Sequence, residues 1–134
     1  MSVDIREENA GDYAIVETVH KQAFDQDAEA MLVQNLRQSD AVKAHMSYVS
    51  VEENEINGHI LYSEVGLKSE TENLKAVALA PIAVVPDKQN QGIGSKLIQH
   101  SLKELTAKGY QVVLVLGAPQ YYTRFGFSAE LGKR

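Results

Sequence analysis

Cysteine is absent from this chain of 134 residues. That excludes disulfides, a thiolate nucleophile and zinc–thiolate sites. The four histidines, His20, His45, His59 and His100, show no metal-ligand spacing such as H-E-x-x-H, so no metal is expected. No apolar run is long enough to span a bilayer. The opening "MSVDIREENA" lacks the basic and apolar regions of a signal peptide, so a cytoplasmic setting without a membrane partner is expected. Basic residues are outnumbered, 13 against 18 acidic, which leaves a net charge of −5. A nucleic-acid binder would want a basic face, so no nucleic-acid partner is expected. The negative charge suits a cationic substrate through long-range attraction and also keeps the protein soluble. Repeats, low-complexity segments and linkers are missing too. What is present is an ordinary globular composition, with 44% hydrophobic and 23% charged residues. The length suits one domain, residues 1–134.

Apolar spacing along the chain predicts a mixed α+β order. Val3–Glu7 alternates as a short strand, and Asp12 is placed to cap a helix bearing Ile15, Val16, Val19, Ala23 and Phe24. Asp27 starts a second helix with Ala28, Met31, Leu32 and Leu36 on one face. "MSYVSVEENEINGHILYSEV" reads as a hairpin turning within Glu53–Asn57, although Asn57-Gly58 is itself a turn signal. Leu74–Val85 reads as a long strand. Pro81 inside it cannot donate a ladder hydrogen bond and belongs at an edge or bulge. Gly92–Lys108 reads as a helix buried through Ile93, Leu97, Ile98, Leu102 and Leu105, with Gly109 closing it. Val112–Leu116, apolar throughout, suits a strand covered on both faces, as in parallel pairing. "PQYYTRFGF" reads as a short helical segment ending in a turn at Gly126.

Two glycines, Gly92 and Gly94, stand where the third helix must start. Each costs a helix roughly 1 kcal/mol against alanine. Glycines there allow close approach to the backbone, and free amides with the helix dipole attract anions. The P-loop spacing is not present, and the Rossmann fingerprint would need glycine at Leu97. What fits is Gln89-x-x-Gly92-x-Gly94, directly after "IAVVP".

This stretch resembles the acetyl-CoA-binding motif of the GNAT superfamily of acyltransferases, Q/R-x-x-G-x-G/A. The order of elements and the "YYTRFGF" segment are similar to its small N-acetyltransferase members. The resemblance implies a GNAT fold: a mixed, mostly antiparallel sheet with a central splayed parallel βαβ pair flanked by helices. It implies acetyl-CoA as co-substrate. Its pyrophosphate would lie on the backbone amides of Asn90, Gln91, Gly92, Ile93, Gly94 and Ser95, beside Gln89, and its pantetheine arm along Ile82, Ala83 and Val84. Pro81 would then help the two parallel strands to splay.

Acyl transfer to an amine needs a neutral amine, a polarised carbonyl and a stabilised thiolate. The resemblance implies a backbone amide around Val84 for the carbonyl and Tyr122 as general acid, with Tyr121 facing elsewhere. Glu64, at the end of the hairpin's second strand, is the candidate base. His59, on the opposite face by alternation, and Glu29 are others, and His20 and His100 are expected on solvated helix faces. Two departures stand out. Gly117-Ala118-Pro119 replaces an asparagine that many members use on the cofactor, and the chain stops seven residues after Phe127. The family's last strand is therefore expected to be missing, through truncation or because another subunit supplies it. The open edge favours a homodimer. The expected activity is acetyl transfer to a primary amine of a small molecule or peptide. The alternatives are a catalytically inactive acyl-CoA-binding regulatory module and a protein that has kept the fold alone.

Overall fold

The computed structural model describes residues 3–68 and 73–115. Within them the chain runs β1 (Asp4–Glu7), α1 (Tyr13–Phe24), α2 (Ala28–Arg37), β2 (Ser47–Glu52), β3 (Glu55–Lys68), β4 (Asn73–Val84), α3 (Ile93–Ala107) and β5 (Val112–Val115). Short 3₁₀ turns sit at Ala10–Asp12, Ala44–Met46 and Pro86–Lys88. The five strands form one sheet in sequence order. All neighbours are antiparallel except β4 and β5, which are parallel across α3. Among the described residues, β5 stands at one end of the sheet.

Side chains alternate across a strand, and β3 shows where each face goes. Ile60 and Tyr62 enter an apolar cluster with Leu97, Ile98 and Leu105 of α3. His59 and Leu61 point to the other face, where His59 meets His20 of α1. α1 packs against both β3 and β4, and α2 packs beside it. The sheet is thus sandwiched between α3 and the α1–α2 pair.

α3 buries Ile93, Leu97, Ile98, Ser101 and Leu105, the helical period that its sequence predicts, with Leu102 half-buried. Burying each large apolar side chain stabilises the fold by about 1.5–3 kcal/mol. The helix stops in a Schellman turn. Gly109, at φ 93°, donates to the Thr106 carbonyl, and Tyr110 donates to the Leu105 carbonyl.

Local structure departs from the sequence expectations at three places, whereas the hairpin turns within the expected Glu53–Asn57. Asp12 occupies the N-cap of α1 as expected, but its side chain makes no capping bond there. It closes a capping box with Asn9 on the preceding 3₁₀ turn, and its carboxylate grips Arg6. Two-residue hairpins favour turns with φ positive at both central residues. Here those residues are Glu53 (φ 53°) and Asn54 (φ 67°), and Asn57-Gly58 lies inside β3. Gly58 is needed there because a Cβ would come 2.5 Å from Ser50 Oγ and 3.2 Å from the Ala83 carbonyl. The faces of α1 and α2 are also rotated. Val16, Val19, His20, Ala30 and Val33 are buried, whereas Ile15, Phe24, Met31 and Leu32 are exposed. Finally, His20 is fully buried rather than solvated, and His100 lies half-buried, edge-on to Tyr48.

Pro81 falls at a bulge, one of the two settings its chemistry allows. Ile60 pairs with Ile82 but Tyr62 pairs with Leu79, so a two-residue step on β3 faces a three-residue step on β4. Pairing of β4 with β5 runs from Ala76↔Val112 to Leu79↔Val115. Beyond Leu79, within the described residues, β4 continues paired with β3 alone.

Candidate active site

Two elements meet at the β4–α3 junction. The loop passes through Asn90 (φ 66°) and Gly92 (φ 85°), both left-handed, before α3 begins. The backbone angle is why glycine stands at 92. A Cβ there would meet nothing within 4 Å, so the space in front of the loop is open. The first-turn amides of Ile93, Gly94 and Ser95 have no intrahelical acceptor by position, and they lie at the positive end of the helix dipole. The Ile93 side chain is buried against α3's core, which pins this turn. Gln89 Nε2 donates to the Val84 carbonyl at 2.9 Å, and Gln91 Nε2 donates to the Asp87 carbonyl at 3.2 Å. Lys88 Nζ lies 3.5 Å from Glu52 Oε1 at the hairpin tip. The loop is therefore braced at both ends while its amides stay open.

The last residues of β4 present backbone groups to the same opening. Val85 N donates to the Asn57 carbonyl on β3. By antiparallel alternation, the polar groups of Val84 and Ile82 point the other way, toward the edge. The bond from Gln89 to the Val84 carbonyl has that direction. Ile82 and Val84 turn their side chains to the α3 core, whereas Ala83, opposite His59, turns to the α1 face. An open amide cradle beside an extended edge that has no partner among the described residues fits a diphosphate joined to an extended, amide-bearing arm.

Tyr122, with Tyr121, lies outside the described residues. Glu64 sits on the α3 face opposite Val77, seven residues before Val84 along β4. Its Oε2 accepts the Tyr110 hydroxyl at 2.8 Å, and His45 Nε2 lies 3.2 Å from that hydroxyl. Burial and the Glu64 carboxylate push the Tyr110 phenol up to about 12. Glu29 accepts from Gln26 on the surface of α2.

On the opposite face the structure brings together residues that sequence reasoning kept apart. His20 Nε2 lies 2.9 Å from His59 Nδ1, and His59 Nε2 lies 2.8 Å from Ser47 Oγ. Ser47 Oγ donates to Glu8 Oε1 at 2.6 Å, and Arg37 pairs with Glu8 Oε2. Both histidines are fully buried, and the Glu8 side chain is 3% exposed. Burial, with the neighbouring His59 and Arg37, depresses His20 to about 3. His59 is also held below the usual imidazole range, chiefly by burial. Burial alone would raise Glu8, but His59, Ser47 and Arg37 together hold it below its ordinary value. Sequence offered one signal for this chain. His20 stands four residues after Val16, on the same helical stripe. Glu8, Arg37 and Ser47 come from separate elements and carry no shared spacing.

Residues 4–129 match the family model described as acetyltransferase (GNAT) domain. The uncharacterized N-acetyltransferase YjhQ of Escherichia coli K12 is 34% identical over 123 residues, covering 92% of this chain and 68% of that protein. YhbS of the same strain is 32% identical over 112 residues, covering 84% of this chain and 65% of its own length. The chain thus spans about two thirds of the length of these relatives. The crystal structure of YhbS in complex with CoA superposes with a TM-score of 0.84 at 31% identity, covering 96% of this chain and 69% of that one. A GNAT family acetyltransferase from Brucella melitensis in complex with acetyl-CoA gives 0.83 at 34% identity, covering 96% and 84%. Among the described residues, no group of three or more His, Cys, Asp or Glu is arranged to hold a metal ion. No described helix is long and apolar enough to cross a membrane.

Proposed function

Because this chain belongs to the GNAT acetyltransferase family, we propose that it transfers the acetyl group of acetyl-CoA to a primary amine of a small molecule or peptide in the cytoplasm. The observation that carries this reading is the β4–α3 junction, where an open cradle of first-turn amides adjoins a strand edge without a parallel partner in the described residues. Acetyl-CoA supplies the activated thioester. The amides of Asn90 to Ser95 hold the diphosphate, with Gln89 bracing the loop against β4. The outward N–H groups of Ile82 and Val84 and the Ile82 carbonyl face the arm, with Ala83 between them. An N–H near Val84 then polarises the thioester carbonyl, the preorganised donor that acyl transfer needs. Tyr122 protonates the departing thiolate. Glu64, engaged by Tyr110 on the α3 face, is not carried forward as the base. The net charge of −5 draws cationic amines toward the protein.

Isothermal calorimetry with acetyl-CoA, on the parent and on Gly94→Glu, tests the reading. A carboxylate at position 94 would meet the diphosphate. Binding should be lost while circular dichroism shows the fold retained. Unchanged affinity in a folded variant would refute the assignment. Mass spectrometry of n-butylamine, benzylamine and a tripeptide amide incubated with acetyl-CoA and the parent should then reveal a product heavier by one acetyl group.

A further inference from the structure

The buried chain on the α1 face has a direction. Glu8 is ionised and accepts only, so the Ser47 hydroxyl donates to it. Ser47 Oγ must then accept from His59, which puts the His59 proton on Nε2. His59 Nδ1 is left as an acceptor, so His20 donates from its Nε2. The remaining ring nitrogen, His20 Nδ1, is therefore an unprotonated lone pair. It is the one buried side-chain nitrogen or oxygen without a partner among the described residues. Buried polar atoms in native proteins are met by a protein group or an ordered water, and an orphan calls for one.

Its place in the fold matters. α1 lies over β3 and β4. His59 is directly opposite Ala83, in the part of β4 that the proposed function gives to the pantetheine arm. Phe24, one turn further along α1, stacks on the His20 ring at 6.1 Å and is 37% exposed, so a single ring separates His20 from the surface.

We infer that His20 Nδ1 is the entry of a proton relay that draws the proton from the acceptor amine through one water seated at that lone pair. The inference rests on the acetyltransferase reading above. As the amine nitrogen bonds to the thioester carbon, its N–H bond breaks and the water hands a proton to Nδ1. The Nε2 proton of His20 passes to His59 Nδ1, the Nε2 proton of His59 to Ser47, and the Ser47 hydroxyl proton to Glu8. A neutral carboxyl is left beside Arg37, and no charge remains on either imidazole. The relay returns the proton to solvent by the same steps when the product leaves. Burial keeps His20 neutral throughout the neutral range, so its lone pair is always available. His59, Ser47 and Glu8 act through His20 as positioning residues. The charged groups facing them are Arg37 from α2 and Asp12 beside β1.

Ser47→Ala removes the hydroxyl that bridges His59 Nε2 and Glu8 Oε1, which stand 3.6 Å apart, beyond hydrogen-bond distance. Ser47→Thr keeps the hydroxyl. Steady-state kinetics with the best of the three amines should show kcat/KM at pH 7 falling roughly 10²-fold in Ser47→Ala and in His20→Gln, the lower end of what a positioned proton acceptor contributes. The deficit should shrink toward pH 10, where hydroxide takes the proton of the attacking amine in place of the relay. Acetyl-CoA affinity should not move, and Ser47→Thr should recover most of the rate. A folded Ser47→Ala that matches the parent in rate and pH profile would overturn the relay. Nitrogen-15 spectra of the histidine rings need no turnover. Both His20 and His59 should appear as neutral Nε2–H tautomers, and an Nδ1 proton on His20 would equally overturn it. Failure of the acetyltransferase reading looks different: no heat with acetyl-CoA and no acetylated amine, whatever the histidine tautomers.

Discussion

The two faces of the sheet solve the same packing problem with different chemistry. Under α3 the filling is apolar, and its buried polar groups are neutral. The Tyr62 hydroxyl meets Ser101 Oγ at 2.8 Å, and Ser101 also donates to the Leu97 carbonyl. Under α1 and α2, small aliphatic residues such as Val16, Val33 and Ala30 surround a chain of ionisable groups ending in a buried ion pair. The first face gains from area removed from water. The second depends on every polar atom finding its partner, because an unpaired buried charge costs far more than a lost methylene. One face rests on packed area and the other on paired polar atoms.

The largest effect should come from splitting the ion pair. Arg37→Met leaves the Glu8 carboxylate buried beside Ser47 with no countercharge, and should cost about 3–5 kcal/mol in urea unfolding. On the apolar face, Leu97→Ala opens a cavity beside Ile60 and Tyr62 and should cost about 2–5 kcal/mol, with no change in how stability depends on pH. Acid separates the faces further. His20 has a folded pKa of about 3, below its ordinary 6.5, so the unfolded chain takes up the proton first as pH falls. Its contribution is complete above pH 6.5 and drains between 6.5 and 3, at up to about 1.4 kcal/mol per pH unit. Glu8, lowered from 4.5, adds to the loss below that pH. Thermal melts across this range should show the slope, and His20→Gln should flatten it. Gly58→Ala, which forces a Cβ against Ser50 Oγ and the Ala83 carbonyl, should cost about 1–3 kcal/mol. Ser101→Ala, losing one neutral hydrogen bond to Tyr62, should cost only about 1 kcal/mol. A larger loss there than for Arg37→Met would reverse the contrast between the faces.

The α3 face was legible in the sequence because its signals are local and periodic. Ile93, Leu97, Ile98 and Leu105 repeat at helical spacing, Gly109 marks the stop, and Pro81 marks the bulge. The glycine loop was legible for the same reason, since Gln89, Gly92 and Gly94 fall within six residues. The α1 face was not. α1 and α2 carry apolar residues on both sides, so Ile15 and Met31 competed with Val16 and Val33 for the core, and only tertiary packing decides between them. The buried histidine chain draws on four separate elements and the loop after β1, and no spacing within any one of them announces it.

The bulge at Pro81 gives β4 one residue more than the strand it pairs with. Leu79 and Ile82 stand an odd number of residues apart, so plain alternation would send them to opposite faces, yet they sit opposite Tyr62 and Ile60 and both join the α3 core. The extra residue therefore resets the alternation, and Ala83 faces His59 while Ile82 and Val84 face α3. Deleting Pro81 would restore regular pairing with every later residue still opposite its present partner, and what would be lost is the bend and added twist that carry the end of β4 away from a regular ladder.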